Sequence, residues 1–166
     1  MDVTDALAKL NLPGLSITLR RATREDLYAI VGLLVDDPLG RTREATSGGD
    51  DFGPYEAAFA AIDTTPSQLL VVATDGTEVV ATMQLSFIPG LARRGALRAQ
   101  AEGVRVAASH RSRGLGAAMF QWAIDEAHRR GCAVVQLTTD KTRADAHRFY
   151  ERLGFTASHE GYKLQL

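Results

Sequence analysis

The stretch from Val104 to Gly116, VRVAASHRSRGLG, constrains the fold more than any other part of the chain. Its alternating apolar start predicts a strand, and the apolar periodicity that begins at Leu115 predicts a helix. The turn between them and the first residues of the helix contain two arginines and two glycines, which are Arg111, Arg113, Gly114 and Gly116. A strand that runs through such a turn into a helix is typical of a domain that packs helices against a sheet.

A turn of this composition is suited to binding an anion. The first N–H groups of a helix have no partner within it and carry a partial positive charge, so a phosphate oxygen satisfies both deficits. Gly114 and Gly116 lack a Cβ, which lets a pyrophosphate approach the backbone, and the two arginines add positive charge. The same residues are also compatible with an ordinary strand-to-helix connection whose arginines face solvent.

Two other phosphate-binding turns do not fit the sequence. Residues 113–118 read RGLGAA rather than G-x-G-x-x-G, and three or more predicted strands precede them, which is atypical of a dinucleotide-binding turn. No Gly-Lys-Ser or Gly-Lys-Thr is present, which excludes a P-loop.

The rest of the chain predicts a single mixed α/β domain over residues 15–166, preceded by a lead-in arm over residues 1–14. A chain of 166 residues with 45% hydrophobic residues can bury one core. The predicted order of elements is β, α, α, β, β, β, α, β, α, β, and the last, short strand ends at Leu166. The polar stretch from Asp36 to Pro54 predicts a long loop, and loops of this length in compact domains tend to bind something.

Local signals mark where several elements begin and turn. Residues 23–26, TRED, resemble a capping box before a helix. Asp75-Gly76 between two apolar runs predicts an antiparallel hairpin, since glycine supplies the positive φ that tight turns require. The alternation in the second strand of this hairpin places three polar side chains on one face, which are Thr82, Gln84 and Ser86.

Composition and charge exclude several classes of protein. The 19 Lys and Arg nearly cancel the 20 Asp and Glu, so no nucleic-acid partner is expected. No apolar stretch approaches the roughly 20 residues that span a bilayer, and the first residues lack a signal-peptide pattern, so we expect a cytoplasmic protein with no membrane partner. The lone Cys132 is expected to be a small apolar residue, and the four histidines are expected at the surface rather than on a metal.

Two sequence blocks resemble those of the GCN5-related N-acetyltransferase (GNAT) superfamily. Arg111–Gly116, RSRGLG, is similar to its Q/R-x-x-G-x-G/A pyrophosphate loop, and Ala146–Phe155, AHRFYERLGF, is similar to its A-x-x-x-Y-x-x-x-G-F helix. The predicted order of elements also matches that family over residues 15–166. The resemblance implies the acyl-CoA N-acyltransferase fold, a seven-stranded mixed sheet flanked by about four helices. Arg143 departs from the family, in which an asparagine often contacts the cofactor, so we assign it no such contact.

The resemblance further implies a site for acetyl-CoA, the co-substrate, in a cleft where the fourth and fifth predicted strands separate. The pantetheine arm is expected on main-chain groups of Val104 and Val106, like an added strand. The pyrophosphate is expected on the turn that opens the helix, at Arg111, Ser112, Arg113, Gly114, Leu115, Gly116 and Ala117. The thioester is then expected near Glu102 and Tyr150, and no metal is implied.

Glu102 is the candidate base, because an amine acceptor must lose a proton before or during attack on the thioester. In a regular strand Glu102 shares an apolar face with its neighbouring valines, which raises a carboxyl pKa towards a useful range. Alternatively, Gly103 marks a bulge that re-aims Glu102 into the cleft. A salt bridge with Arg98 or Arg105 explains this carboxylate equally well.

Tyr150 has two interpretations. Its position on the apolar stripe of its helix favours a core aromatic residue whose hydroxyl finds any partner. The resemblance places it at the cleft, where a phenol with an ordinary pKa of about 10 can protonate the departing CoA thiolate.

The resulting hypothesis is transfer of an acetyl group from acetyl-CoA to a primary amine by direct attack in a ternary complex. A small molecule, a peptide N-terminus and a lysine side chain all remain open as the acceptor, and the loops Asp36–Pro54 and Ile88–Gly95 are expected to form the walls of its site. The alternative is a non-catalytic acyl-CoA-binding sensor or regulatory module. Members of the family are frequently dimers, so a homodimer is compatible with the resemblance.

Overall fold

The computed structural model describes residues 6–36 and 52–166. Six strands are present in the described residues: β1 Ala6–Leu12, β2 Leu15–Arg21, β3 Gln68–Asp75, β4 Glu78–Ile88, β5 Leu97–Val106 and β6 Cys132–Leu137. Four longer helices accompany them: α1 Leu27–Val35, α2 Gly53–Asp63, α3 Leu115–Arg129 and α4 Ala144–Arg152. Within the same residues, no helix is both long enough and apolar enough to cross a bilayer.

The strands form one mixed sheet in the order β1-β2-β3-β4-β5-β6. Neighbours are antiparallel from β1 to β5, and β6 is parallel to β5. The predicted hairpin is confirmed, because β3 and β4 pair across a turn in which Gly76 has a φ of +60°. The predicted mixed α/β fold is therefore confirmed, and the fourth and fifth predicted strands are β5 and β6.

The two ends of the chain differ from the prediction. The described part of the predicted arm at residues 1–14 contains β1, which pairs with β2 at the edge of the sheet. Ala8, Leu10 and Leu12 are partly buried and alternate with the exposed Lys9 and Asn11, but this run is short and ends at Pro13-Gly14, so the sequence pattern is also compatible with an arm. The strand predicted to end at Leu166 is not formed, although Tyr162 and Leu164 alternate as a strand would; both are exposed. The sheet therefore has six described strands rather than seven.

Helices cover both faces of the sheet. The larger core lies on the face that carries α3, where Leu115, Met119 and Phe120 are fully buried against β3, β4 and β5. The ring of Phe120 also contacts three aromatic rings from α4 and its end, which are Phe149, Tyr150 and Phe155. Helices α1 and α2 cover the other face through a smaller apolar cluster around Ile30 and Val72.

The predicted capping box fixes the start of α1. The Asp26 carboxylate accepts hydrogen bonds from the Thr23 amide at 2.7 Å and from both terminal nitrogens of Arg20, at 2.7 and 2.8 Å. Burial alone favours the neutral acid, but these hydrogen bonds outweigh it and hold the pKa of Asp26 below its ordinary value. This ionised carboxylate therefore stabilises the fold above the pKa it has when unfolded, and the contribution is lost as the pH falls through its folded pKa.

Candidate active site

The parallel pairing between β5 and β6 ends partway along β5, because β6 stops at Leu137. Residues of β6 pair with β5 only from Leu97 to Ala101, opposite Cys132 to Leu137. Beyond Ala101, β5 continues for five residues to Val106 while β6 has ended. From Glu102 to Val106, where the pantetheine arm is predicted to lie, this edge of β5 has no strand partner among the described residues.

A bulge at Gly103 interrupts β5 just after the two strands separate. Gln84 of β4 lies opposite Glu102 and Thr82 opposite Arg105, so β5 has one more residue than β4 between these pairs. Gly103 has a φ of +58°, in the left-handed region that favours glycine. The predicted bulge is therefore confirmed, and the regular-strand setting for Glu102 is wrong.

Glu102 is exposed and belongs to a short chain of polar side chains. Its Oε1 accepts a hydrogen bond from Gln100 Nε2 at 3.0 Å, and Gln100 Oε1 accepts one from Gln136 Nε2 of β6 at 2.6 Å. These two hydrogen bonds link the Glu102 carboxylate on β5, through Gln100, to Gln136 on β6. Sequence analysis missed both glutamines, although the spacing of Gln100 and Glu102 already placed them on one face of a strand.

The turn before α3 presents open backbone amides. Gly114 is the residue that precedes the helix, with a φ of +84°, and no side chain of residues 6–36 or 52–166 caps the amides that follow it. The first turn of α3 contains no acidic residue. The amides of Leu115, Gly116 and Ala117 therefore have the unsatisfied donors of a helix start and no negative charge beside them on the helix. Arg113 is exposed beside them.

Gly116 lies where β5, α3 and α4 meet. A Cβ placed on it would lie 3.5 Å from Phe149 Cζ and 3.9 Å from Val106 Cγ2. These are ordinary contact distances, so a Cβ would fit at this position and the packing of the helix start against β5 and α4 does not require glycine there. The position that favours glycine is instead Gly114, because its positive φ strains the backbone of any residue with a side chain.

The Arg111 side chain links the turn before α3 to the end of β5 and to the residue that follows α1. Its Nε donates to the Val106 carbonyl oxygen at 2.9 Å, and its terminal nitrogen lies 2.9 Å from Asp36 Oδ2, just after α1. Arg105 similarly donates to the Val104 carbonyl oxygen at 2.8 Å. The two carbonyl groups predicted to pair with pantetheine thus already accept hydrogen bonds from arginines.

His110 anchors this turn from beneath, which sequence analysis missed. It is buried rather than at the surface as predicted, with Nε2 3.3 Å from Asp75 Oδ2 of β3 and Nδ1 2.9 Å from Ser109 Oγ. The neighbouring Ala107 amide donates to the Val80 carbonyl oxygen at 2.8 Å. Asp75 lies 35 residues from His110 in the chain, so no local pattern indicates their contact.

Tyr150 is a half-buried residue of α4 whose ring packs edge-on against three aromatic neighbours, Phe120, Phe149 and Phe155. Burial raises the pKa of its phenol, and the positive charges of Arg143 and Arg105 only partly oppose this. The hydroxyl therefore keeps its proton at neutral pH.

Neither Cys132 nor a cluster of metal ligands is a candidate for the reaction in the described residues. Cys132 is half-buried at the start of β6, and burial raises the pKa of its thiol, as expected for a small apolar residue rather than a nucleophile. Among the described residues, no group of three or more His, Cys, Asp or Glu side chains could hold a metal ion. The candidate catalytic and binding residues therefore lie along β5, at the start of α3 and in the last turn of α4.

Comparison with known proteins gives consistent matches. Residues 27–155 match the Acetyltransferase (GNAT) family. Aminoalkylphosphonate N-acetyltransferase of Salmonella typhimurium is 29% identical over 144 residues, which are 85% of this chain and 86% of that protein. A solved structure named as a transcriptional regulator from Bacillus halodurans C-125 is 44% identical, with a TM-score of 0.84 over 90% of this chain and 99% of that one. A proposed acetyltransferase from Agrobacterium tumefaciens is 28% identical, with a TM-score of 0.76 over 89% and 99%.

Proposed function

Because this chain belongs to the acetyltransferase (GNAT) family and is an acyltransferase, we propose that it moves an acetyl group from acetyl-CoA to a primary amine by direct attack in a ternary complex. The observation that supports this proposal most is the course of β5. This strand leaves β6 after Ala101, bulges at Gly103 beside Glu102, and leads into the glycine-containing turn before α3. An exposed carboxylate and the uncapped amides of a helix start therefore lie along one short segment.

Acetyl-CoA would bind along this segment. We assign its pantetheine arm to the main chain of Val104 and Val106, beyond the end of β6, and its pyrophosphate to the amides between Arg111 and Ala117. The open amides at the start of α3 and the exposed charge of Arg113 favour this assignment. A carbonyl oxygen has two lone pairs, so the Val104 and Val106 carbonyl groups can accept a second donor beside their arginines.

Proton transfers complete the proposed reaction. Glu102 accepts a proton from the amine as its nitrogen forms a bond to the acetyl carbonyl carbon. The carbon–sulfur bond then breaks, and the Tyr150 hydroxyl donates its proton to the departing thiolate. Solvent exchange returns the proton to Tyr150 and removes the one held by Glu102. The raised pKa of Tyr150 suits this role, because the phenol remains protonated at neutral pH.

The name of the Salmonella relative supports an alkylamine as the acceptor. That protein is named as an N-acetyltransferase of aminoalkylphosphonates, and N-acetylation takes place on an amino group. From this 29% identical relative we propose an alkylamine as the acceptor of this chain, and the amine panel below tests whether a phosphonate group is also recognised.

A regulatory role is the second candidate function. The 44% identical structure is named as a transcriptional regulator, which favours an acyl-CoA-binding regulatory module. Both candidates require acetyl-CoA binding, so turnover distinguishes them.

A panel of amines tests the proposed function. The protein is mixed with acetyl-CoA and with alkylamines, an aminoalkylphosphonate, lysine or a peptide with a free N-terminus, and the release of CoA is followed as free thiol. Release that depends on the amine and falls in a Glu102→Gln variant supports the acetyltransferase. Tight binding of acetyl-CoA with no release from any amine supports the regulator instead.

A further inference from the structure

A cavity of about 180 Å³ lies between α1, α2 and the sheet. An apolar cavity of about 150 Å³ in another protein is large enough to hold benzene, so this space can hold a ring or a branched alkyl group. Its walls are Leu27, Ile30, Val31 and Leu34 of α1, Tyr55, Ala58, Phe59 and Ile62 of α2, and Leu70, Thr82, Gln84 and Gly103 of the sheet.

The walls of this cavity offer mostly apolar surface. None of the described lining residues is charged. The two polar side chains on the sheet are already paired, because Thr82 Oγ1 donates to the Val71 carbonyl oxygen at 3.1 Å and Gln84 Nε2 donates to Gln68 Oε1 at 2.9 Å. An apolar group therefore enters this space without displacing these hydrogen bonds.

The cavity reaches the bulge of β5. Gly103, the bulge residue, forms part of its wall, and Gln84 lies directly opposite Glu102 in the β4–β5 pair. Both α1 and α2 pack on the face of the sheet opposite to α3 and α4, which carry the pyrophosphate turn and Tyr150. In a ternary complex, the side with the cavity is thus the side left for the acceptor.

We propose that this cavity binds an apolar substituent of the acceptor, so that the preferred substrate is a primary amine carrying an aryl or branched alkyl group of about six carbons. The inference rests on the proposed function, because it places the amine beside Glu102. An acyl chain longer than acetyl is the other apolar group that could reach the space, and the experiment separates the two sources.

The test compares benzylamine with ethylamine in the parent and in two variants. Ala58→Leu adds three carbons to a residue of α2 that lines the cavity, whereas Ala57→Leu makes the same change at a neighbouring exposed residue outside it. In the parent we expect kcat/KM to be about 10- to 100-fold higher for benzylamine. We expect Ala58→Leu to remove most of this preference and Ala57→Leu to retain it. Ile62→Phe fills the cavity from a second lining residue of α2, one turn after Ala58, and should act like Ala58→Leu.

Two results would overturn the inference while leaving the proposed function intact. If turnover occurs with no preference for benzylamine, or if Ala58→Leu only raises the melting temperature, the cavity is a packing void. If Ala58→Leu instead lowers the rate with butyryl-CoA relative to acetyl-CoA for one amine, the cavity holds the acyl chain.

A binding measurement separates failure of this inference from failure of the proposed function. Benzylamine should raise the melting temperature of the parent and of Ala57→Leu, but not of Ala58→Leu, whether or not any amine is acetylated. A shift of this kind without turnover supports the cavity as a binding site and counts against the acetyltransferase. The absence of both turnover and a shift overturns both proposals.

Discussion

The two faces of the sheet are filled to different degrees. On the face of α3 and α4, Leu115, Met119 and Phe120 are fully buried, and Phe120 joins a cluster of aromatic rings. On the face of α1 and α2, a cavity of about 180 Å³ separates the helices from β4, and polar side chains such as Gln84 and Ser86 lie on the strand. The same sheet is therefore closely packed on one side and incompletely filled on the other.

This difference matches the two tasks of a ternary-complex transferase. Positioning acetyl-CoA needs a rigid frame, and a filled core holds the start of α3 in one place. Admitting an acceptor needs space beside the base, which a packed core cannot offer. Changes on the α3 side should therefore affect co-substrate binding and chemistry, whereas changes on the α1 side should affect the choice of acceptor.

Gly114→Val should have the largest effect, because it acts on the filled side at the proposed pyrophosphate site. The φ of +84° strains any β-branched residue there, and the side chain would block approach to the first amides of α3. We expect acetyl-CoA to raise the melting temperature of the parent and to have no effect on the variant.

Gly131→Val is the matched control for this change. Gly131 follows the other end of α3 and has a similar φ of +77°, with open space around it. It should lower stability to a similar degree while retaining the shift with acetyl-CoA. A folded Gly114→Val protein that retains the shift would show that the pyrophosphate binds elsewhere.

Tyr150→Phe should reduce kcat and kcat/KM together by about 10- to 1000-fold, with the affinity for acetyl-CoA changed much less. The ring remains in its aromatic cluster while the hydroxyl is lost. Burial raises the pKa of this phenol, so its contribution should persist through neutral pH and be lost as the pH rises through that raised pKa. Single-turnover rates measure the effect.

Tyr162→Phe, an exposed site, is the control for the loss of a tyrosine hydroxyl. Equal single-turnover rates for Tyr150→Phe and the parent would leave Tyr150 as a core aromatic residue and remove it from the mechanism.

Glu102→Gln should lower turnover by about 10- to 100-fold, mainly below neutral pH. There the amine is mostly protonated and must lose a proton before it can attack the thioester. The amide keeps the shape of the side chain but cannot accept the proton. The pH dependence of kcat/KM measures the effect, and Glu78→Gln, an exposed change on β4, is the control. Matching pH profiles for Glu102→Gln and the parent would assign the proton to another group or to solvent.

Sequence analysis predicted best where one local pattern determines the structure. The polar face of β4, the tight turn at Gly76 and the bulge at Gly103 each depend on neighbouring residues, and all three are present. The strand β1 was predicted as an arm because its alternation covers only a short run before Pro13-Gly14, and its pairing with β2 is not visible in that run alone. The cavity and the contact of His110 with Asp75 were missed because residues far apart in the chain form them.

His110→Asn should have the smallest effect, since it acts on the filled side only through the position of the turn. The side-chain hydrogen bonds of His110 go to Ser109 and to Asp75 of β3, the latter at 3.3 Å, and these hold the turn to the sheet. Loss of one hydrogen bond, about 1 kcal/mol, should weaken acetyl-CoA binding about 5-fold while kcat at saturation stays unchanged. Asp75→Asn should give a similar loss, and the double variant should bind no worse than either single one, because all three remove the same contact.

His128→Asn, on the exposed face of α3, is the control. Titration calorimetry with acetyl-CoA measures the affinities. If the losses of affinity in the two single variants add up in the double variant, or if kcat at saturation falls, His110 does more than anchor the turn.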